Sequence, residues 1–439
     1  MSNKQARSRP LVFVAVLALV LAACAGDEAS DTTAASGTTE APAATEAPAT
    51  TEAPATTEAP GTTAASGEPI RIGILTDLTG FTPWAVNARD GMMLAAEEIN
   101  AEGGVDGRMI ELVVEDSAND ADAGTSGYER LAEQGVVAIG GIISSTVGGT
   151  VSPLAEELQI PTFLVKSGTE AALTPDSRFV FRTCLPAAPM TAGPVVQYVQ
   201  ELGLTNVGVI VADYPWGQSF AAAIGPALDA AGIDYGEIQV APVPPDTDFI
   251  PYVRAVADAG AEMIIATGHP PGATPITTLS ADLLADVPVT GAWIPPDLAV
   301  GGLADLAIGR YTDFACADYT SDGYAALAER YLAFSENAFM SDDAVAGHGI
   351  VTMVADAVAN GAADPVAISE YIHGQTYELE GYAHPLSWTE WGELASSAPT
   401  VNTISEGPAP EGLNDAGVWW VAKLTQAETL EPYDPAAAG

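Results

Sequence analysis

The sequence predicts an α/β protein built from two successive lobes, each a parallel β-sheet flanked by helices. Three observations predict it. Short apolar runs alternate with segments of helical period along most of the chain. The alternation pauses and then restarts near residue 206. Helices repeatedly end at a glycine that leads straight into the next apolar run, as in "RLAEQGVVAIGG" and "AVADAGAEMIIATG". Strands joined by helices run parallel and are covered on both faces. Two such halves in tandem leave a cleft between them.

The elements follow in order. "IRIGILTD" (residues 70–77) reads as a buried strand. In "ARDGMMLAAEEINAEGG", Ala88, Met92, Ala95 and Ile99 fall on one helical face, and Gly103 and Gly104 supply the stop. "MIELVVEDS" is a strand, "GTSGYERLAEQG" a helix, "VVAIGGIIS" a strand, "VGGTVSPLAEELQ" a helix and "IPTFLV" a strand. The second half repeats this with "NVGVIVADY", "IDYGEIQVAP", "EMIIATG" and "VPVTGAW" as strands. Between them, "GQSFAAAIGPALDAAG", "FIPYVRAVADAG" and "ITTLSADLLAD" are helices. The later segments at 322–338 and 342–361 read as long helices with no fresh strands to cover, so they are expected to pack back on the first lobe.

The amino-terminal region has a different texture. Lys4, Arg7 and Arg9 precede the apolar run at 11–23, which is short for a membrane span and ends in small residues. "LAAC" (residues 21–24) then resembles the cleavage box of bacterial lipoproteins, which makes Cys24 the expected lipidation site after removal of residues 1–23. Acyl chains there would hold the protein at a membrane surface, outside the cytoplasm. Residues 24–67, with "TEAP" recurring at Thr45, Thr51 and Thr57, lack the apolar side chains needed to offset ordering entropy and read as a tether.

Charge narrows the partners. The chain carries 14 basic and 58 acidic residues, a formal net charge of −44, and its only lysines are Lys4, Lys166 and Lys423. Residues 25–67 hold seven of the acids, so the negative charge belongs mainly to the folded part. Such a field keeps a protein soluble and repels nucleic acid, whose binding depends on cations facing phosphates.

Catalytic and cofactor motifs are missing from the sequence. It has no phosphate loop with lysine, no G-x-G-x-x-G after a strand, no H-E-x-x-H and no G-x-S-x-G elbow. His269, His348, His373 and His384 lack metal-ligand spacing. Neither a cofactor nor a metal is expected. Of the cysteines beyond Cys24, Cys184 lies in "FRTCLP" and Cys316 in "DFACAD", where the chain should cross between lobes. They read either as a disulfide or as two buried thiols. One glycine-rich turn stands out, "GGIISSTVGG" at 140–149. It places Ser144, Ser145 and Thr146 at the start of a helix, where unpaired N–H groups and the helix dipole favour an anion.

Taken together, residues 70–117 and 140–174, with "RFVFRT", "VGVIVADYPWGQSFA" and "GYAHPLSW", resemble the type I periplasmic binding proteins, specifically the branched-chain amino-acid receptors of ABC importers. The resemblance runs from about Ile70 to Lys423. It implies two Rossmann-like lobes joined by three crossovers, with 68–183 and 317–392 in the first and 184–316 and 393–439 in the second. It also implies a monomer that captures an amino acid, amide or related solute and passes it to a permease with its ATPase subunits, without chemistry. In the match, Ser144, Ser145, Thr146, Ser167, Gly168 and Thr169 face the ligand carboxylate, with Lys166 adding charge beside them. Trp84 and Trp216 supply aromatic faces, one from each lobe. Asp297, or less well Asp213, receives the ammonium, and His269 stands where the family places an aromatic. A sensor of the same fold and an enzyme on this scaffold are the alternatives.

Overall fold

The first sheet has five strands, all parallel: β1 (Ile70–Thr76), β2 (Ile110–Asp116), β3 (Ala138–Ile142), β4 (Thr162–Leu164) and β5 (Val180–Arg182), in the order β2-β1-β3-β4-β5. Its helices are α1 (Ala85–Ala101), α2 (Ala121–Glu133) and α3 (Ser145–Leu158). The computed structural model describes residues 67–79, 85–243, 247–267, 270–284, 287–290, 306–407 and 419–438. Within them, the chain then passes to α4 (Ala188–Glu201), β6 (Gly208–Ala212), α5 (Pro215–Ala231), β7 (Gln239–Ala241), α6 (Ile250–Asp258), β8 (Ile264–Thr267), α7 (Pro270–Leu283), β9 (Val289–Thr290) and β10 (Tyr311–Ala315). Next come α8 (Asp322–Phe334), α9 (Asp342–Ala359), α10 (Pro365–His373), β11 (Thr400–Glu406) and β12 (Trp419–Gln426).

The second sheet has the order β12-β11-β10-β9-β8-β6-β7. From β7 to β10 its pairings are parallel, but β10–β11 and β11–β12 are antiparallel. The sequence reading missed this antiparallel edge. Its period was obscured because β11, "TVNTISE", mixes buried polar residues such as Thr400 and Asn402 with apolar ones. β7 is also shorter than the apolar run suggested, because residues 234–238 are largely exposed and pair only through an Asn206–Asp234 bridge.

Helix α9 returns to the first sheet as expected, but α8 does not: its Tyr324, Leu327, Ala328 and Tyr331 share a core with Leu94 of α1 and with Tyr311, Ile404 and Val421 of the second sheet. Ile350, Val351 and Val354 of α9 share a core with Ile70, Ile72, Ile74 and Met92. Two glycines make that approach possible. A methyl group on Gly91 of α1 would strike the carbonyl oxygen of Ala344, and one on Gly347 of α9 would strike that of Ala88. The two backbones therefore touch where side chains would hold them apart. The chain passes between sheets three times, after β5, after β10 and between α10 and β11. Cys184 and Cys316, on the first two passages, form a disulfide with Cα atoms 5.2 Å apart.

Candidate ligand-binding site

The carboxyl ends of β3 and β4 lie beside the point where the first sheet's strand order reverses, the usual place for a ligand in open α/β sheets. Ser144 leaves β3 with extended backbone (φ −67°, ψ 130°) and caps α3, its Oγ accepting the N–H of Val147 at 3.3 Å. Ser145 follows, and its Oγ accepts the N–H of Gly168 at 3.0 Å. Thr169 caps a short 3₁₀ turn, Glu170–Ala172, with its Oγ1 accepting the N–H of Ala171 at 3.4 Å. Each of the three hydroxyls thus accepts from the backbone and keeps its own hydrogen to donate. The first-turn amides of α3 lie beyond the reach of intrahelical carbonyls and add to the array. Thr146 is half-buried, and Ser167 is fully buried with its Oγ turned against Gly148.

Trp216, in the first turn of α5 and only 4% exposed, meets this array from the second sheet. A methyl on Gly168 would fall 2.6 Å from its Cε3 atom, so the indole lies directly on the Gly168 backbone. Phe220 backs the ring at a centroid distance of 5.5 Å. The structure therefore brings Ser144, Ser145, Ser167, Gly168, Thr169 and Trp216 together. Trp84, His269 and Asp297 lie outside the described residues. Asp213 is exposed and accepts from Gln218 Nε2 at 2.8 Å.

Lys166 corrects an expectation. It turns away from the donor loop and is buried, its Nζ 2.8 Å from Asp342 Oδ1 and 3.5 Å from Asp343 Oδ1. Burial opposes its charge, but Asp342, Asp343 and Asp313 outweigh that and hold the ammonium ionised well above its ordinary range. A cation balanced within its own cluster has little charge left for a ligand. Burial, reinforced by Asp342, pushes the Asp313 carboxyl well above the usual carboxylate range.

Sequence reasoning missed Arg182 and Glu393. Arg182, on β5, has no exposed surface, and its guanidinium reaches three acceptors. Nε donates to Glu393 Oε2 at 3.0 Å, Nη1 to the Ser167 carbonyl and Nη2 to the Thr169 carbonyl at 2.6 Å. Glu393 also accepts the N–H groups of Ala187 at 3.3 Å and Leu394 at 3.0 Å. Trp388 Nε1 donates to the Arg182 carbonyl at 2.7 Å. The guanidinium fork thus fixes the donor loop from behind and ties it to two of the interlobe passages. The signal was available: an arginine inside the apolar strand pattern of "RFVFRT" requires a buried partner.

Two α/β sheets, a chain that passes between them three times and a donor array of the first sheet met by an aromatic of the second define a two-lobed solute-binding architecture. The profile of the periplasmic binding protein family matches residues 69–401, and the chain belongs to that family. It is 25% identical over 350 residues to the Leu/Ile/Val-binding protein BraC3 of Rhizobium johnstonii, covering 75% of this chain and 94% of that one. Its fold is similar to a fatty acid ABC transporter substrate-binding protein from Thermomonospora curvata (TM-score 0.71, 20% identity, 86% of this chain and 95% of that one). It is also similar to a leucine-binding protein from Thermotoga maritima (TM-score 0.67, 18% identity, 83% and 99%).

Proposed function

We propose that the protein is the lipid-anchored solute-binding subunit of an ABC importer. It captures an amino acid or related small solute between its lobes and delivers it to a membrane permease. The observation that carries this reading is the meeting of hydroxyl and amide donors at the start of α3 with Trp216 of α5 from the other sheet. Hydroxyl and amide donors gathered at a helix start suit holding an anion. The names of the relatives, which include an amino-acid receptor and a fatty-acid receptor of importers, agree with it. Cys24, the expected anchor, lies outside the described residues.

Thermal unfolding against a panel of amino acids, amides and simple carboxylic acids tests the reading. At least one solute is expected to raise Tm by several degrees when present at about a hundred times its Kd. The Ser144→Ala, Ser145→Ala double variant is expected to lose most of that shift while remaining folded. If no solute shifts Tm at millimolar concentration, the reading fails. Cys24→Ala is expected to move the protein from the membrane fraction to the soluble exported fraction.

A further inference from the structure

The last residues of the chain do not stay with the sheet they complete. β12 is the outer strand of the second sheet, and the chain leaves it at Gln426. Ala427 and Leu430 then donate their N–H groups to the carbonyls of Pro399 and Ser397, both at 2.9 Å, so the tail runs antiparallel to the third passage between the sheets. In the same stretch the Glu428 N–H donates to Gln197 Oε1 of α4 at 3.2 Å. A methyl group on Gly193 of α4 would lie 3.4 Å from Leu430 Cδ2, so this side chain rests on the helix backbone. Helix α4 belongs to the second lobe, where its Val195 and Val199 share a core with Val209 of β6 and Ile265 of β8.

Three residues further on, the tail is held by the first lobe. The Tyr433 carbonyl accepts Trp391 Nε1 at 3.0 Å. Trp391 packs against the core of Leu164, Phe179 and Val180, and its neighbour Gly392 accepts the N–H of Arg182 on β5 at 3.0 Å. Tyr433 also lines a cavity of about 250 Å³ together with Glu170 of the first lobe, Pro189 of α4 and Ala222, Ala223 and Pro226 of α5. Glu170 directly follows Thr169 in the donor loop, and α5 carries Trp216 in its first turn. The tail thus bridges the two elements that meet at the candidate site, on a face of its own.

Little slack separates its two holds. From Leu430 to Tyr433 the chain spans at most about 11 Å when fully extended, and Pro432 fixes one of the intervening backbone angles. A movement that carries α4 away from Trp391 beyond that length must break a hydrogen bond or lift Leu430 from its helix.

We propose that residues 427–438 are a strap across the hinge, which resists separation of the lobes and thereby slows the release of a bound solute. Its hydrogen bonds go to Pro399, Ser397, Gln197 and Trp391, none of which belongs to the donor array, so it acts on a solute through the angle between the lobes. The effect on release rests on the solute-binding reading above; the restraint on the lobes does not.

The test reads lobe separation in the solute-free protein. Spin labels are placed on the otherwise full chain at Glu157→Cys of α3 and Ala230→Cys of α5, both exposed positions, with the Cys184–Cys316 bond intact. Pulsed electron resonance then compares its distances with those of the same labelled chain lacking residues 427–439. Deletion is expected to raise the ratio of long to short distances about tenfold or more. A strap that merely adds stability would lower Tm and leave the distances between folded lobes unchanged, and that result overturns the proposal. Release of whichever panel solute gives the largest Tm shift, followed by stopped flow, is expected to become about fivefold or more faster on deletion. An unchanged release rate also overturns it, with the solute-binding reading left intact. If no panel solute binds, that reading falls and the distances alone decide the strap. Should the shortened chain not fold, Leu430→Ala combined with Trp391→Phe removes the helix contact and the indole donor while keeping the tail, and the same distances are read.

Discussion

Arg182 and Lys166 are both cations buried at the carboxyl edge of the first sheet, yet their surroundings differ in kind. Arg182 has one carboxylate and two carbonyls, all in hydrogen-bonding contact with its planar fork. Lys166 has a compact ammonium between Asp342 and Asp343, with a third acid, Asp313, close by. The first arrangement is matched donor for acceptor and fixes a shape. The second holds more acids than bases, and burial together with Asp342 pushes the Asp313 carboxyl upward. Buried ions are stabilising only when fully partnered. The arginine region satisfies that condition by geometry, whereas the lysine region answers its excess of acids by shifting the Asp313 carboxyl toward its neutral form.

The Cys184–Cys316 bond sits between the two regions, two residues after Arg182 and three after Asp313. It closes a segment with a sequence separation of 132. Reduction is therefore expected to give the largest loss, about 4–5 kcal/mol on chain-entropy grounds. Urea unfolding with and without reductant measures it; an unchanged midpoint would show that the passages are held by packing alone. Next, Arg182→Met should cost about 3–5 kcal/mol and Lys166→Met a similar amount at pH 8. An unchanged urea midpoint in either variant would overturn the reading of that region as an ion buried with its partners.

The smallest effect concerns Asp313. Its folded pKa lies above the unfolded value, so the folded chain keeps a proton that the unfolded chain releases above about pH 4. Stability from this group is thus greatest at low pH and falls as pH rises toward the folded pKa. Asp313→Asn, neutral throughout, is expected to raise Tm by about 2 °C or more at pH 7 and to lose that gain near pH 4. A difference that stays constant across the range would contradict the assignment.

Much of the molecule was legible in local patterns. Buried runs, helical period and glycine stops mark the elements of both halves because they depend on neighbours in the chain. Ser144 and Ser145 were legible for the same reason, since an N-cap is chemistry within one helical turn. The misread residue, Lys166, has its partner Asp342 separated by 176 positions. Arg182 and Glu393 are separated by 211. Pairings at that range leave no periodic trace, and only the oddity of a charge in an apolar strand announces them. The antiparallel edge was hidden in the same way, because β11 pairs with β10 across the whole excursion through α8, α9 and α10.

The contact of α1 with α9 through Gly91 and Gly347 has a consequence for biogenesis. The first sheet emerges from the ribosome with β1 to β5 complete by residue 182, but the helix that covers Ile70, Ile72 and Ile74 begins only at Asp342. During synthesis and export the amino-terminal half therefore waits with a bare apolar face while the second sheet is made. Contacts of such long separation form slowly and leave the waiting chain open to association with others. The dense negative charge of the chain acts over that interval, because like-charged nascent molecules repel before their cores are closed.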